Sequence, residues 1–447
     1  MKKLFTTLSN IWKIEDLRVR ITNTLLFLLI YRIGSFIILP GVDSASIAAE
    51  QSNGGLLGLL NMFAGGSFSR SSIFALGVMP YISASIVVQL LGIAVPYFAK
   101  LQKEGESGRN KINQWTRYLT IGITVLQAIG YLKSQIAPEA KLMAEPLFTI
   151  VCTFTLTAGT LFVMWLGEKI TDKGIGNGIS LIIMVGIIAQ LPSAFGNEFR
   201  ERTTGAGGLI TFIIEIVALI LVVMFTILIV QGTRKIAVQY AKRIVGNKQY
   251  GGVRQYIPLK VNAAGVMPII FAQALMFIPA TIPQFFPSLS TNSVLISLSN
   301  YNSWSHNILF AVLIILFTYF YTAITVNPNQ MADDMKKNGG FIPGVKPGKT
   351  TADYIDDVIS KITLPGSVFL ALIAIIPAIA GSIGVSSVFA RFFGGTSLII
   401  LVGVVLDTLQ QIESHLLMRH YDGLMKTGRI KGRSAIPAAT GTVPPAI

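Results

Sequence analysis

Ten apolar stretches, each about long enough to cross a membrane as a helix, constrain this chain more than any other feature. They lie near 21–39, 76–98, 118–136, 147–167, 178–195, 209–231, 263–285, 307–326, 365–385 and 396–417. A hydrocarbon core of about 30 Å takes roughly 20 apolar helical residues. Only 13% of the 447 residues are charged, against about 25% in soluble domains. So little charge does not cover a water-facing surface of this size, and the expected solvent is a bilayer.

The charges that remain set the orientation. Segments on the N-terminal side of the ten stretches hold 29 of the 36 Lys and Arg residues. The exceptions are Arg32, Arg70, Lys133, Lys141, Arg200, Arg202 and Arg391. This positive-inside asymmetry, with an even number of spans, predicts both termini on the cytoplasmic side. A net charge of +15 carried on such loops suits anionic phospholipid headgroups or an acidic partner. No cleavable leader is expected: Lys2 and Lys3 precede a span-length run that opens only near Ile21, and no small-residue cleavage site follows it. Cys152 is the one cysteine, so no internal disulfide forms, and it reads as a small buried hydrophobe.

Three connections depart from this plan. Residues 54–74 are apolar but glycine-rich and interrupted by Arg70 and serines. Two arrangements fit: a half-helix dipping back into the bilayer, shielded by protein or water, and an amphipathic loop on the outer interface. The connections 233–262 and 327–364 are long and basic, and long loops are usually functional or disordered. The first reads as two extended runs around Gly251 and Gly252, a hairpin-like arm. The second has Gly and Pro where a turn belongs, then a helical run. Two sets of five spans would be compatible with an inverted repeat around a midplane site, although the halves share no strong internal identity.

The polar segments carry a family resemblance. FAGGSFSRSSIFALGVMPYISASIVVQLL (63–91), KEGESGRNKINQWTRY (103–118), GEKITDKGIGNGISLII (167–183), QYAKRIVG (239–246), PLKVNAAGVMPIIFA (258–272) and NPNQMADDMKKNGGFIPGVKPGKTTADYI (327–355) resemble, in order, segments of the SecY family of bacterial protein-conducting channels. The tail and residues 286–306 resemble it least.

The resemblance implies an all-α membrane protein of the bacterial inner membrane, ten transmembrane helices in two inverted five-helix halves with a re-entrant plug half-helix. Its divisions would be a cytoplasmic segment 1–20, a first half 21–195 holding the plug near 55–74, a second half 196–417, and a cytoplasmic tail 418–447. The implied partners are SecE and SecG subunits, the SecA ATPase, the ribosome, and an unfolded preprotein with its signal sequence. Unfolded chains would cross the pore, and membrane segments would leave sideways between the halves.

The implied pore ring is Ile82, Ile86, Ile179, Ile183, Ile270 and Ile400. Two pairs have i, i+4 spacing and so share a helix face. A narrow apolar ring dewets and holds back ions. Ile179, Ile270 and Ile400 fall near the starts of their stretches, which requires funnel-shaped approaches. The plug would include Gly55, Leu60, Phe63, Ser67 and Arg70. The lateral gate would lie at Val87, Gln89, Gln127, Asn177, Gln273 and Ile278, where polar side chains would hold the seam by hydrogen bonds. Docking of SecA or the ribosome falls to Arg243, Lys248 and Lys346. At the position of Lys346 the family usually carries arginine, and lysine keeps the charge but loses the fork.

Other chemistries lack support. GVKPGKT (344–350) misses the phosphate-loop spacing because Pro343 stands where glycine is needed, so no direct nucleotide binding is expected. His306, His415 and His420 have no ligand spacing, and neither a metal nor another cofactor is implied. No convergent polar site suggests an enzyme. The main rival is an inverted-repeat secondary transporter for a small solute. Such transporters usually need clustered ionisable groups inside the bilayer, and only Arg32, Glu215 and Asp407 lie well inside the stretches.

Overall fold

The computed structural model describes residue 12 and residues 14–43, 61–136, 138–204, 208–240, 243–245, 248–250, 254–285, 292–300 and 303–426. Long helices stand at all ten apolar stretches. The first half contains α1 (Glu15–Gly34), α2 (Met79–Ala94) with its short continuation α3 (Pro96–Lys103), α4 (Glu106–Gln135), α5 (Leu147–Lys173) and α6 (Gly178–Thr204). The second half opens with α7 (Gly208–Gln231). Strands β1 (Thr233–Tyr240), β2 (Arg243–Val245), β3 (Lys248–Tyr250) and β4 (Arg254–Lys260) follow, then α8 (Met267–Phe285), α9 (Ser293–Ser299), α10 (Trp304–Thr325) and α11 (Pro328–Lys337). Strand β5 (Gly340–Phe341), α12 (Lys349–Ser382), α13 (Ser387–Ala390) and α14 (Gly395–Lys426) complete it.

Six of these are long and apolar enough to cross a membrane by length and composition: α5, α6, α7, α10 with α11, α12 and α14. The pair α2–α3 makes a seventh if its 103° bend is counted within one span. The stretch read as 76–98 is therefore broken. Pro96 excludes the helical conformation from the residue before it, and Val95 sits extended at φ −113° and ψ 118°. Of the remaining three, α1 carries Arg18, Arg20 and Arg32, and α4 opens on a charged run. The last helix also continues past 417, to Lys426.

In lipid the solvent is as apolar as the side chains, so packing and hydrogen bonding hold the helices together. One buried cluster lies within the first half, around Leu39, Leu76, Tyr131, Phe148 and Leu156. Another lies within the second, around Ile269, Phe271, Phe310, Ile314, Leu370 and Ile399. A third joins the halves through Tyr31, Phe63, Ile183, Phe389, Ile400 and Val404. The buried hydroxyls of α4 are satisfied within the helix: Thr116, Thr120 and Thr124 each donate to the carbonyl one turn back, at 3.0, 2.7 and 2.6 Å.

The halves are also pinned by charge where α6 passes to α7. Arg202 of α6 donates to Glu198 at 2.9 Å, to Glu215 of α7 at 2.6 Å and to the Gly384 carbonyl at 2.6 Å. Glu198, wholly buried, also accepts the Ser386 amide at 3.1 Å. One guanidinium and two carboxylates thus fasten α6, α7 and the turn between α12 and α13.

The two long basic connections fold together. β1 pairs antiparallel with β4 from Thr233↔Lys260 to Gln239↔Arg254, and β2 pairs with β3, so the arm is extended as read, but the runs on either side of Gly251 and Gly252, β3 and β4, belong to different sheets. β5, from the second connection, adds to the other edge of β1 through Gln239↔Phe341 and Tyr240↔Gly340. Ile236, Val238, Leu259, Met335, Ile342 and Ile355 form a small core beneath this sheet. The second connection is more ordered than its sequence reading. α11 precedes the turn, started by Asn327, whose side-chain oxygen accepts the Gln330 amide at 3.2 Å, with Pro328 in the first turn. Asn327→Ala should cost about 1 kcal/mol of helix stability. Faster hydrogen exchange of the α11 amides checks this, and unchanged exchange would count against the cap.

Candidate functional site

Four helices bring isoleucines to one point. Ile82 of α2, Ile183 of α6, Ile270 of α8 and Ile400 of α14 line one small cavity with Phe63, Met79, Ser83, Gln273, Ala274 and Thr396. Its volume is about 20 Å³, space for about one water molecule. The positions obey a symmetry. Ile82 and Ile270 are each the fourth residue of their helices, α2 from Met79 and α8 from Met267. Ile183 and Ile400 are each the sixth, in α6 from Gly178 and α14 from Gly395. The second and fifth long helices of each half therefore present their first two turns to one constriction. Isoleucines near the starts of the apolar stretches meet because the helices begin there.

The other two expected members of the ring stand apart from this cavity. Ile179, one turn before Ile183, belongs to the same cluster, but its Cγ1 packs on the backbone at Gly167 of α5. Ile86, one turn after Ile82, packs against the second-half cluster that contains Ile269 and Phe271.

The segment 61–78 closes over the constriction. Only residues 61–63 of it are helical; the rest is a run of tight turns, with Gly65 and Gly66 at φ +64° and +85°. Phe63 is buried and enters the cavity lining, and Ser67 is fully buried. Gly55 and Leu60, expected in the same segment, lie outside the described residues. The seat is a glycine that sequence reasoning missed. A Cβ on Gly186 of α6 would stand 2.5 Å from the Phe63 carbonyl oxygen and 3.1 Å from the Gly65 nitrogen. The only sequence signal was a small residue inside an otherwise bulky apolar run.

Hydrogen bonds hold the segment from several sides. Gln190 donates to the Asn61 carbonyl at 2.7 Å, Tyr131 to the Phe68 carbonyl at 2.7 Å, and Arg32 to the Gly65 carbonyl at 2.8 Å. Arg70, from within the segment, donates to the same Gly65 carbonyl at 2.9 Å. The Leu39 amide donates to Ser71 and the Ile73 amide to Ile37, both at 2.9 Å.

The expected gate residues are dispersed. Gln273 is buried at the cavity, whereas Val87 is exposed and Gln127 is half-buried. Gln89 donates within its own helix to Ser85 at 3.2 Å. Asn177 is exposed, and its side chain accepts the Ser180 amide at 3.3 Å at the start of α6. The side chain of Ile278 lies outside the described residues. Ile86 of α2 packs against the cluster of Ile269 and Phe271 of α8, while Ser83 of α2 and Gln273 of α8 line the shared cavity. Among the docking candidates, Lys346 is exposed in the turn before α12. Arg243 and Lys248 begin β2 and β3, and their side chains lie outside the described residues.

The arrangement contains no reactive constellation. Among the described residues no group of three or more metal-ligating side chains converges. The cavity is lined mostly by apolar side chains from four helices and by Phe63 of the glycine-rich segment.

Comparison with known proteins places the chain among relatives of one family. The family model described as SecY matches residues 72–409. The protein translocase subunit SecY of Streptomyces scabiei is 44% identical over 440 residues, covering 95% of this chain and 100% of that protein. That of Corynebacterium glutamicum is 43% identical over 438 residues, covering 93% and 98%. In fold, the chain is similar to a solved protein-conducting channel, with a TM-score of 0.66 at 19% identity over 93% of this chain and 95% of that one. It is likewise similar to Sec61 in the canine ribosome-channel complex, with a TM-score of 0.59 at 18% identity over the same shares.

Proposed function

Because this chain belongs to the SecY family, we propose that the four-isoleucine constriction is its closed translocation pore and residues 61–74 its plug. The chain is a translocase channel subunit, a multi-pass membrane protein and not an enzyme. One observation carries the assignment of the pore: four helices, two from each half, converge on an apolar cavity of about 20 Å³ beneath Phe63. A gap that narrow and apolar holds too little water to solvate an ion. Its short branched side chains can part around an extended polypeptide and close again without binding it. The transporter reading has no comparable support, since Glu215 is engaged by Arg202 and no ionisable cluster faces the cavity among the described residues.

The reading extends to membrane and partners. The ten helices are ten spans of a bacterial inner membrane, both termini cytoplasmic, and the basic loops favour that orientation. The sheet β4-β1-β5 and the turn at Lys346 then stand in the cytoplasm, where they meet SecA or the ribosome. SecE and SecG cover part of the apolar outer surface, and anionic phospholipid lies against the basic loops. The lateral gate is the seam of α2 with α8, which a signal sequence opens by offering helix surface in exchange for the contacts of Ile86.

Ile183→Asn with Ile400→Asn tests the seal. Resting conductance of the channel in planar bilayers should rise at least about tenfold, the ratio set by roughly 1.4 kcal/mol. Unchanged conductance would end this account. Cysteines placed at 82, 183 and 270 should each crosslink to a stalled secretory chain, and crosslinks at none of them would place the path elsewhere.

A further inference from the structure

We propose that Arg32 and Arg70 form a binding site for a phosphate-type oxyanion, the phosphodiester of an anionic lipid headgroup, which clips the plug to α1. The proposal deepens the plug reading and rests on it. The two guanidiniums converge. Each donates an Nη–H to the single carbonyl of Gly65, at 2.8 and 2.9 Å. Both lie against one ring, their Cζ atoms 4.9 and 4.3 Å from the centroid of Phe36.

Two positive charges held this closely need a counter-charge. Neither arginine is in an ion pair with any carboxylate among the described residues. The Gly65 carbonyl and the carbonyls ending α1 supply partial charge only. Stacking on Phe36 helps the cations but does not neutralise them. The Nε of Arg70 is buried and has no hydrogen-bond partner, an uncommon state for a charged donor.

A ligand suited to two planar forks carries a full negative charge and several acceptor oxygens. Phosphate and its diesters match that pattern best. Location favours the lipid source. Phe36 and Ile37 are 55% and 51% exposed, and exposed apolar residues of this chain face lipid. The site lies at the far end of α1 from the basic N-terminal segment, opposite the proposed docking face. Arg32 belongs to α1 while Arg70 and Gly65 belong to the plug, so an anion spanning both ties the plug to the wall. Plug displacement would pull the site apart.

The test uses the full chain, in the complex in which it is purified, placed in phosphatidylcholine nanodiscs. Phe36→Trp puts a fluorophore under both cations and leaves them in place. Its emission should shift saturably as phosphatidylglycerol is added. Arg32→Gln and Arg70→Gln in that background should each weaken the apparent affinity at least about tenfold. Native mass spectrometry of the unsubstituted chain should show a retained phosphatidylglycerol that the double variant loses. If inorganic phosphate in phosphatidylcholine discs gives the same saturable shift, the ligand is the free anion and the site stands. An emission that responds to neither source overturns the site, as does an affinity indifferent to both arginines. These readouts are independent of conductance, so a failed site and a failed pore assignment are told apart.

Discussion

Arg202→Met is expected to destabilise the folded chain by about 3–5 kcal/mol, the penalty for breaking a buried ion cluster from one side. Glu198 is wholly buried and Glu215 nearly so. Without the guanidinium, two carboxylates would face each other with the Gly384 carbonyl as a third negative neighbour. Oε2 of Glu215 already lacks a hydrogen-bond partner, so the cluster has nothing in reserve. Adding Glu198→Gln and Glu215→Gln should restore most of the loss, because it is the stranded charge that costs, not the missing contact. The protein carries its own reporter: Cys152, its single cysteine, is fully buried, so a thiol-reactive dye labels it only as the fold opens on heating. A labelling midpoint unmoved by Arg202→Met would show that the cluster does not brace the halves. The cluster sits where α6 passes to α7, the one chain crossing between the halves, so the weakened variant should also pass ions more readily at rest.

The second large effect is at Gly186. Its missing side chain is the room that Phe63 and Gly65 occupy, and both obstacles to a Cβ are backbone atoms that do not swing aside. Gly186→Leu should therefore lift the plug without touching the isoleucines. Overpacking typically costs about 1–3 kcal/mol, which lowers the ratio of seated to displaced plug about 5- to 150-fold. Resting conductance should rise while passage of preprotein persists. A loss of transport with no leak would mean that Gly186 serves the helix core instead. Gly186→Ala should show the same direction with a smaller amplitude.

Much of this was legible from the chain itself. The ten helices could be read because an apolar run of membrane length has few alternatives. The extended character of 233–262 was readable because β-prone runs flank Gly251 and Gly252, but the pairing was not, since the strands on either side of those glycines pair with β2 and β1. What escaped has a common cause. Val95 and Pro96 interrupt a run whose hydropathy stays high, so the bend in α2–α3 is invisible to an apolar count. Ile86 and Ile179 matched the family's ring, yet cavity lining depends on helix rotation, which i, i+4 spacing leaves free. Gly186 and the cluster at Arg202 depend on contacts between segments distant in sequence, as with Gly384, which no local pattern announces. Asn327-Pro328 is a readable helix start, but it lies in a connection whose length and charge read as a loop.

The strand pairing of the two basic connections has a mechanical consequence. β1 leaves α7 through Gly232 alone, the turn at 342–348 joins β5 to α12, and six residues after β4 bring the chain to α8. Pressure applied anywhere on that small sheet is thus delivered to three helix ends at once. A motor or a ribosome seated there would grip the second half as a single lever.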